Sequence, residues 1–248
     1  GPGGTLTTFA GGMERLPQQL ARRLGDRLRL GNPVHEIRRE AGNFTLATGE
    51  GDLIADEVLL TVPAHSAAEL LHQLAPEAVP PLDAIPTAPI AVVMMAYEDA
   101  GAFKRPVHGF GFLVPRGEEP SLLGTLYCHD IFRDQAPPGQ LFLRVMVGGS
   151  RMPEAVEYED SELLSLVRNA LARVLGADPE PDRIWIVRWD RGISQYTVGH
   201  RDRVNAAEEA AGKAGIELAG SPYRGVSVND CIKSARATAG RIANRLGG

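Results

Sequence analysis

Leucines recur at Leu16, Leu20 and Leu24, the i, i+4, i+8 spacing that predicts an amphipathic helix over residues 13–24. In residues 28–39 short apolar runs flank Gly31-Asn32-Pro33, which predicts strand, turn, strand. Apolar stretches either side of Gly49-Glu50-Gly51 predict a hairpin. Residues 58–62 form one continuous apolar run, the pattern of a strand buried on both faces. Pro63 stops it, and residues 66–74 read as a helix. The proline-rich stretch 75–89 then reads as a linker or crossing segment. Beyond it, apolar segments at 90–97, 109–114, 122–128 and 141–147 are divided by turns such as Pro115-Arg116-Gly117 and Pro137-Pro138-Gly139. They predict an antiparallel sheet. A helix over 161–175, capped by Asp160 or Ser161, and a strand over 184–189 follow. The stretch from Arg201 onward reads as helix, strand, turn, helix.

Composition adds little to this pattern. The chain has 248 residues, 44% hydrophobic and 23% charged, with a formal net charge of −5. That is the balance of an ordinary globular protein. Its negative sign argues against nucleic acid as a partner, because phosphate binding wants a basic face. The two cysteines, Cys128 and Cys231, lie far apart with no Cys-x-x-Cys, so neither a disulfide framework nor a metal site is expected, and a reducing cytoplasm is the default location. No apolar run reaches membrane-spanning length, and no signal-peptide pattern opens the chain. The histidines lack ligand spacing, and no Gly-x-Ser-x-Gly supports hydrolase chemistry.

The segment 218–234, LAGSPYRGVSVNDCIKS, carries the most chemistry. A short apolar strand ends at Gly220, a Gly- and Pro-containing turn follows, and a helix starts near Val228 or Asn229. Such a turn aims main-chain N–H groups and the positive end of a helix dipole at one point, which suits a phosphate or the electron-rich end of a reduced flavin. On pattern alone an ordinary strand–turn–helix link is the commoner reading, because many such turns contain glycine.

The residues of this turn resemble the C-terminal flavin motif of the protoporphyrinogen oxidases, within the amine-oxidase-like flavoprotein superfamily. Three other segments resemble the same family in the same order: TTFAGGMERLPQQLARRLG from Thr7, ADEVLLTVPAHSAAELL from Ala55, and QYTVGHRDRV from Gln195. Departures are Ser194 where the family usually has Pro, Ser227 where many members have Gly, and Asn229 where many have Pro. No G-x-G-x-x-G follows a predicted strand, so the dinucleotide fingerprint is missing from these residues. The expectation is a C-terminal half of a protein about twice as long.

The resemblance implies an α/β and α+β architecture, part of a Rossmann-like FAD-binding domain interrupted by a β-sheet substrate-binding domain. The expected boundaries are 1–75 and 189–248 for the FAD domain and 76–188 for the substrate domain. It implies that Val226, Ser227 and Val228 meet the flavin pyrimidine end through main-chain N–H groups, that Ser221 is a further flavin contact, and that Thr61 and Pro63 end a strand near the flavin. Val34 would pass the adenine end. Read without the resemblance, Ser227 or Asn229 is a helix cap, Ser221 a turn serine, Thr61 with Pro63 a strand stop and Val34 a core valine. His200 reads as a cap or hydrogen-bond partner rather than a base, and no catalytic acid or base is assigned. The implied activity is FAD-dependent oxidation of protoporphyrinogen IX or coproporphyrinogen III in haem biosynthesis, with molecular oxygen as acceptor and an N-terminal half as partner. Peripheral membrane contact stays open, because the family's membrane-facing helices lie in that other half. The alternatives are another amine-oxidase-like oxidoreductase, or a non-catalytic fragment or partner subunit.

Overall fold

A computed structural model describes residues 6–40 and 42–247. They divide into two compact units, one from residues up to 28 with 88–193, the other from 29–87 with those from 194 on.

In the first unit, α1 (Arg15–Leu24) forms as the leucine spacing predicts and ends at Gly25, but it buries none of its residues. Pro17 falls in the first turn, where its missing N–H costs nothing.

The second unit opens with a meander of β1 (Val34–Glu40), β2 (Asn43–Thr48) and β3 (Gly51–Ala55). The expected strand before Gly31 does not form. Gly31 takes φ +69° and Pro33 offers no N–H, so a single strand starts at Val34. The hairpin forms where expected, with Thr48 paired to Gly51 across Gly49-Glu50. Asn32 braces that turn by accepting from the Glu50 N–H at 3.2 Å. Ile37 and Phe44 point inward.

The apolar run at 58–62 yields only a three-residue strand, β4 (Val58–Leu60); Thr61 and Pro63 are exposed beyond it. Then α2 (Ala64–Leu71) starts two residues earlier than predicted and buries Ala64, Ala67, Ala68 and Leu71, an i, i+3, i+4, i+7 face. The proline-rich stretch is not a linker. It folds into a 3-10 turn at Pro76–Ala78 and α3 (Val79–Asp83), burying Ala78, Leu82 and Ile85. Pro80 and Pro81 sit in the opening turn of α3, where helix N–H groups have no partner anyway.

The rest of the first unit is a five-stranded antiparallel sheet with one long helix. Its elements are β5 (Thr87–Tyr97), β6 (Gly111–Leu113), β7 (Gly124–Tyr127), the short α4 (Cys128–Ile131), β8 (Leu141–Gly148), α5 (Asp160–Leu175) and β9 (Arg183–Ser194). The order β6-β7-β8-β5-β9 puts β8 at the centre. Alternate residues Val93, Met95 and Tyr97 of β5 and Leu143, Val145 and Val147 of β8 form one buried core with Leu163, Val167 and Leu171 of α5.

The chain then completes the second unit with α6 (His200–Lys213), β10 (Ile216–Leu218) and α7 (Val228–Leu246). β10 pairs in parallel with β4, Ile216 to Val58 and Leu218 to Leu60. Val204, Ala207 and Ala211 of α6 join these strands, α2 and α3 in a second core. The mixed α/β and α+β character expected from the sequence is what forms.

Candidate functional site

Because β4 and β10 run in parallel, their carboxyl ends lie side by side. Ligand sites in α/β sheets form at such ends. Ala219 N–H donates to Leu60 O at 3.0 Å, and the Thr61 carbonyl lies 3.6 Å from where a Gly220 side chain would begin. Thr61 and the start of the 220–227 turn are therefore together, with Pro63 just beyond.

The turn is held from several sides. The Tyr196 hydroxyl donates to Ser221 O at 2.8 Å and accepts from Gly225 N at 2.7 Å, tying both limbs to one oxygen. Its ring stacks on His200 at 3.8 Å and 17°. His200 is buried, and its Nε2 donates to Tyr223 O at 3.0 Å. A carbonyl only accepts, so Nε2 carries the hydrogen and this bond positions the ring, while the buried Nδ1 has no hydrogen-bond partner among the described residues. On the far side Arg224 reaches back to α6, donating to Glu208 and, at 3.0 Å, to Asn205. Gly225 has φ +141°, and a Cβ there would lie 2.4 Å from Asp230 Cβ. Only glycine fits.

Ser227 is the N-cap of α7: its Oγ accepts from Asp230 N at 3.1 Å and donates to the Asp230 carboxylate at 2.6 Å. Its side chain is thereby occupied. The N–H groups of Val228 and Asn229 are the remaining donors of the first turn. Val226 and Val228 flank them, 57% and 48% exposed. The expected contacts Ser221, Val226, Ser227 and Val228 thus share one preformed turn. Val34 does not join them; it opens β1, paired with Thr48, and takes no part in the bonds that hold the turn. The sequence reading missed Tyr196, Arg224 and Gly225 as the turn's supports. Glycine and arginine beside a predicted turn were the available signals for two of them, and the QYTVGH segment singles out the tyrosine without saying what it holds.

The donor set fits an electron-rich, weakly anionic group: main-chain N–H at a helix start with apolar side chains around it, while Arg224 in the same turn is committed to Glu208 and Asn205. Among the described residues, no cluster of three or more His, Cys, Asp or Glu could hold a metal ion, and no helix is long and apolar enough to cross a membrane.

Comparison with known proteins matches residues 1–243 to the flavin containing amine oxidoreductase profile. The chain is 36% identical over 248 residues to the protoporphyrinogen oxidase of Bos taurus, covering 95% of this chain and 51% of the relative. It is 26% identical to the coproporphyrinogen III oxidase of Bacillus subtilis (strain 168), covering 94% and 50%. A crystallised Exiguobacterium sp. 255-15 protein superposes with a TM-score of 0.85 at 32% identity, over 95% of this chain and 51% of that one. The chain spans about half the length of the curated relatives it matches.

Proposed function

This chain belongs to the flavin-containing amine oxidoreductase family, and from there we propose that it forms the C-terminal half of an FAD-dependent porphyrinogen oxidase. The observation that carries the reading is the turn at 220–227, pinned by Tyr196, His200 and Arg224, with the first N–H groups of α7 left open. A helix start favours adjacent negative charge by about 0.3–2 kcal/mol. FAD, when bound, supplies the hydride acceptor. Val226, Ser227 and Val228 hold the pyrimidine end through main-chain N–H groups, since the Ser227 hydroxyl is already committed to Asp230. Ser221, Thr61 and Pro63 line the same strand ends, and Val34 is assigned to the adenine end. The apolar unit built on β5 to β9 takes the substrate, protoporphyrinogen IX or coproporphyrinogen III. Molecular oxygen as final acceptor, an N-terminal half bearing the pyrophosphate site, a cytoplasmic location and peripheral membrane contact through that half complete the proposal.

Co-expression of this chain with an upstream half carrying a G-x-G-x-x-G tests it. The expected product is a yellow complex that oxidises a porphyrinogen. A stable complex with flavin but no porphyrinogen turnover would overturn the substrate, and one without flavin would overturn the cofactor site.

A further inference from the structure

The two faces of the five-stranded sheet are unlike. One is sealed against α5. On the other, Arg144 stands exposed in the middle of β8, the central strand. Its cross-strand neighbours are Met94 of β5 and Leu126 of β7. Along β8 its same-face neighbours are Phe142 and Met146, both half-buried. The guanidinium is thus ringed by apolar side chains. It makes no hydrogen bond and no ion pair among the described residues. Strands β5, β7 and β8 contain no acidic residue, so no neighbour in register neutralises it. Arg168 and Arg188 of the same unit, by contrast, are paired, to Asp178 and Asp160. Trp185 of β9 packs edge-to-face on Phe142 at 6.1 Å, which extends the apolar platform toward the sheet edge. With strands about 4.8 Å apart, β7 to β9 offer roughly 14 Å of width.

A charge-bearing fork with five donors set in a broad apolar plate matches a ligand of opposite design: a large apolar body bearing a carboxylate arm. Arginine binds a carboxylate bidentately, which fixes position as well as charge. We propose that Arg144 anchors a propionate of the porphyrinogen and sets how the macrocycle lies on this sheet face. The assignment rests on the porphyrinogen reading above.

The chain's two tryptophans, Trp185 and Trp189, both lie on β9, so their fluorescence reports on ligand at this sheet. Purified chain is titrated with protoporphyrin IX and with its dimethyl ester, and quenching is followed. The free acid should bind more tightly than the ester. Arg144→Met should weaken the acid about tenfold and leave the ester unchanged, with Arg144→Lys recovering part of the loss and urea midpoints unmoved. In the oxidase assembled with its upstream half, Arg144→Met should raise KM for the free acid while kcat stays within about twofold, the signature of lost uniform binding. Equal affinity of wild type and Arg144→Met for the acid would overturn the anchor and leave the oxidase reading standing. Absence of saturable quenching in wild type would overturn the sheet face as the site. Acid-over-ester selectivity in a chain whose assembled complex turns over no porphyrinogen would uphold the carboxylate anchor and sink the substrate reading instead.

Discussion

One phenol oxygen holds the turn at 220–227 closed. Tyr196→Phe removes both the bond to Ser221 O and the bond from Gly225 N, leaving two main-chain groups without a partner. Both sites are open to water, so the expected cost is that of ordinary hydrogen bonds, about 0.5–1.5 kcal/mol. Amide exchange at Gly225 should accelerate while α6 stays protected; unchanged exchange there would show that the phenol does not hold the turn. Burial pushes the Tyr196 phenol above its ordinary value, with the Gly225 N–H pulling weakly the other way. A group raised on folding contributes its full stability below its unfolded value, here 10.0, and loses it as pH climbs through the folded value. Wild type should therefore lose turn protection above pH 10 more steeply than Tyr196→Phe, as read by exchange at matched intrinsic rates. Gly225 and Gly212 make a second comparison. Gly225→Ala meets Asp230 at φ +141° and should destabilise by about 1–3 kcal/mol. Gly212→Ala, in α6 with nothing near its Cβ, should stabilise by up to about 1 kcal/mol. Denaturation midpoints that move in the same direction would contradict this.

The helix α7 is fastened at both ends by different means. Ser227 caps its start, and near its end Arg241 and Arg245 reach Glu217 of β10 while Arg245 also reaches Glu57 beside β4. The Arg245 hydrogen bonds hold the Glu57 carboxyl below its usual range, and those from Arg241 and then Arg245 do the same for Glu217. Carboxyls lowered on folding contribute fully above their unfolded value of 4.5, and that contribution drains as pH falls through the folded values. Thermal melts between pH 6 and pH 3 should fall more steeply for wild type than for Arg245→Met. Parallel curves would mean that the network contributes nothing. Along its length α7 buries only Thr238, and Val228, Ile232 and Leu246 are exposed. Its apolar residues are plain in the sequence, as are the leucines of α1, yet Leu20 and Leu24 of α1 are exposed as well, while Leu16 and Ile242 are half-buried.

For the whole chain, the proposed role places the flavin end of the cofactor site and one adenine contact, Val34, here, and the pyrophosphate contacts in the upstream half. Losing the pyrophosphate contacts removes several kcal/mol, and each 1.4 kcal/mol is tenfold in affinity. The purified chain should be colourless and bind FAD at least tenfold more weakly than the complex with its upstream half, by equilibrium dialysis; a stoichiometrically yellow chain would refute the division. Local signals in the amino-acid order were enough for the β2–β3 hairpin, the antiparallel strands, α5 and the strand–turn–helix at 218–234, because turn chemistry and periodicity act over a few residues. They misjudged the proline-rich 75–89 stretch, whose prolines lie at helix starts where they are tolerated, and residues 28–33, where a glycine and a proline end strand pairing. Three features needed the folded chain: the parallel pairing of β4 with β10, the clasp of Tyr196 on Ser221 and Gly225, and the place of Arg144 among apolar neighbours. Each joins positions distant along the chain or on separate strands, and such contacts are fixed by which faces pack and in what register, which no local pattern encodes.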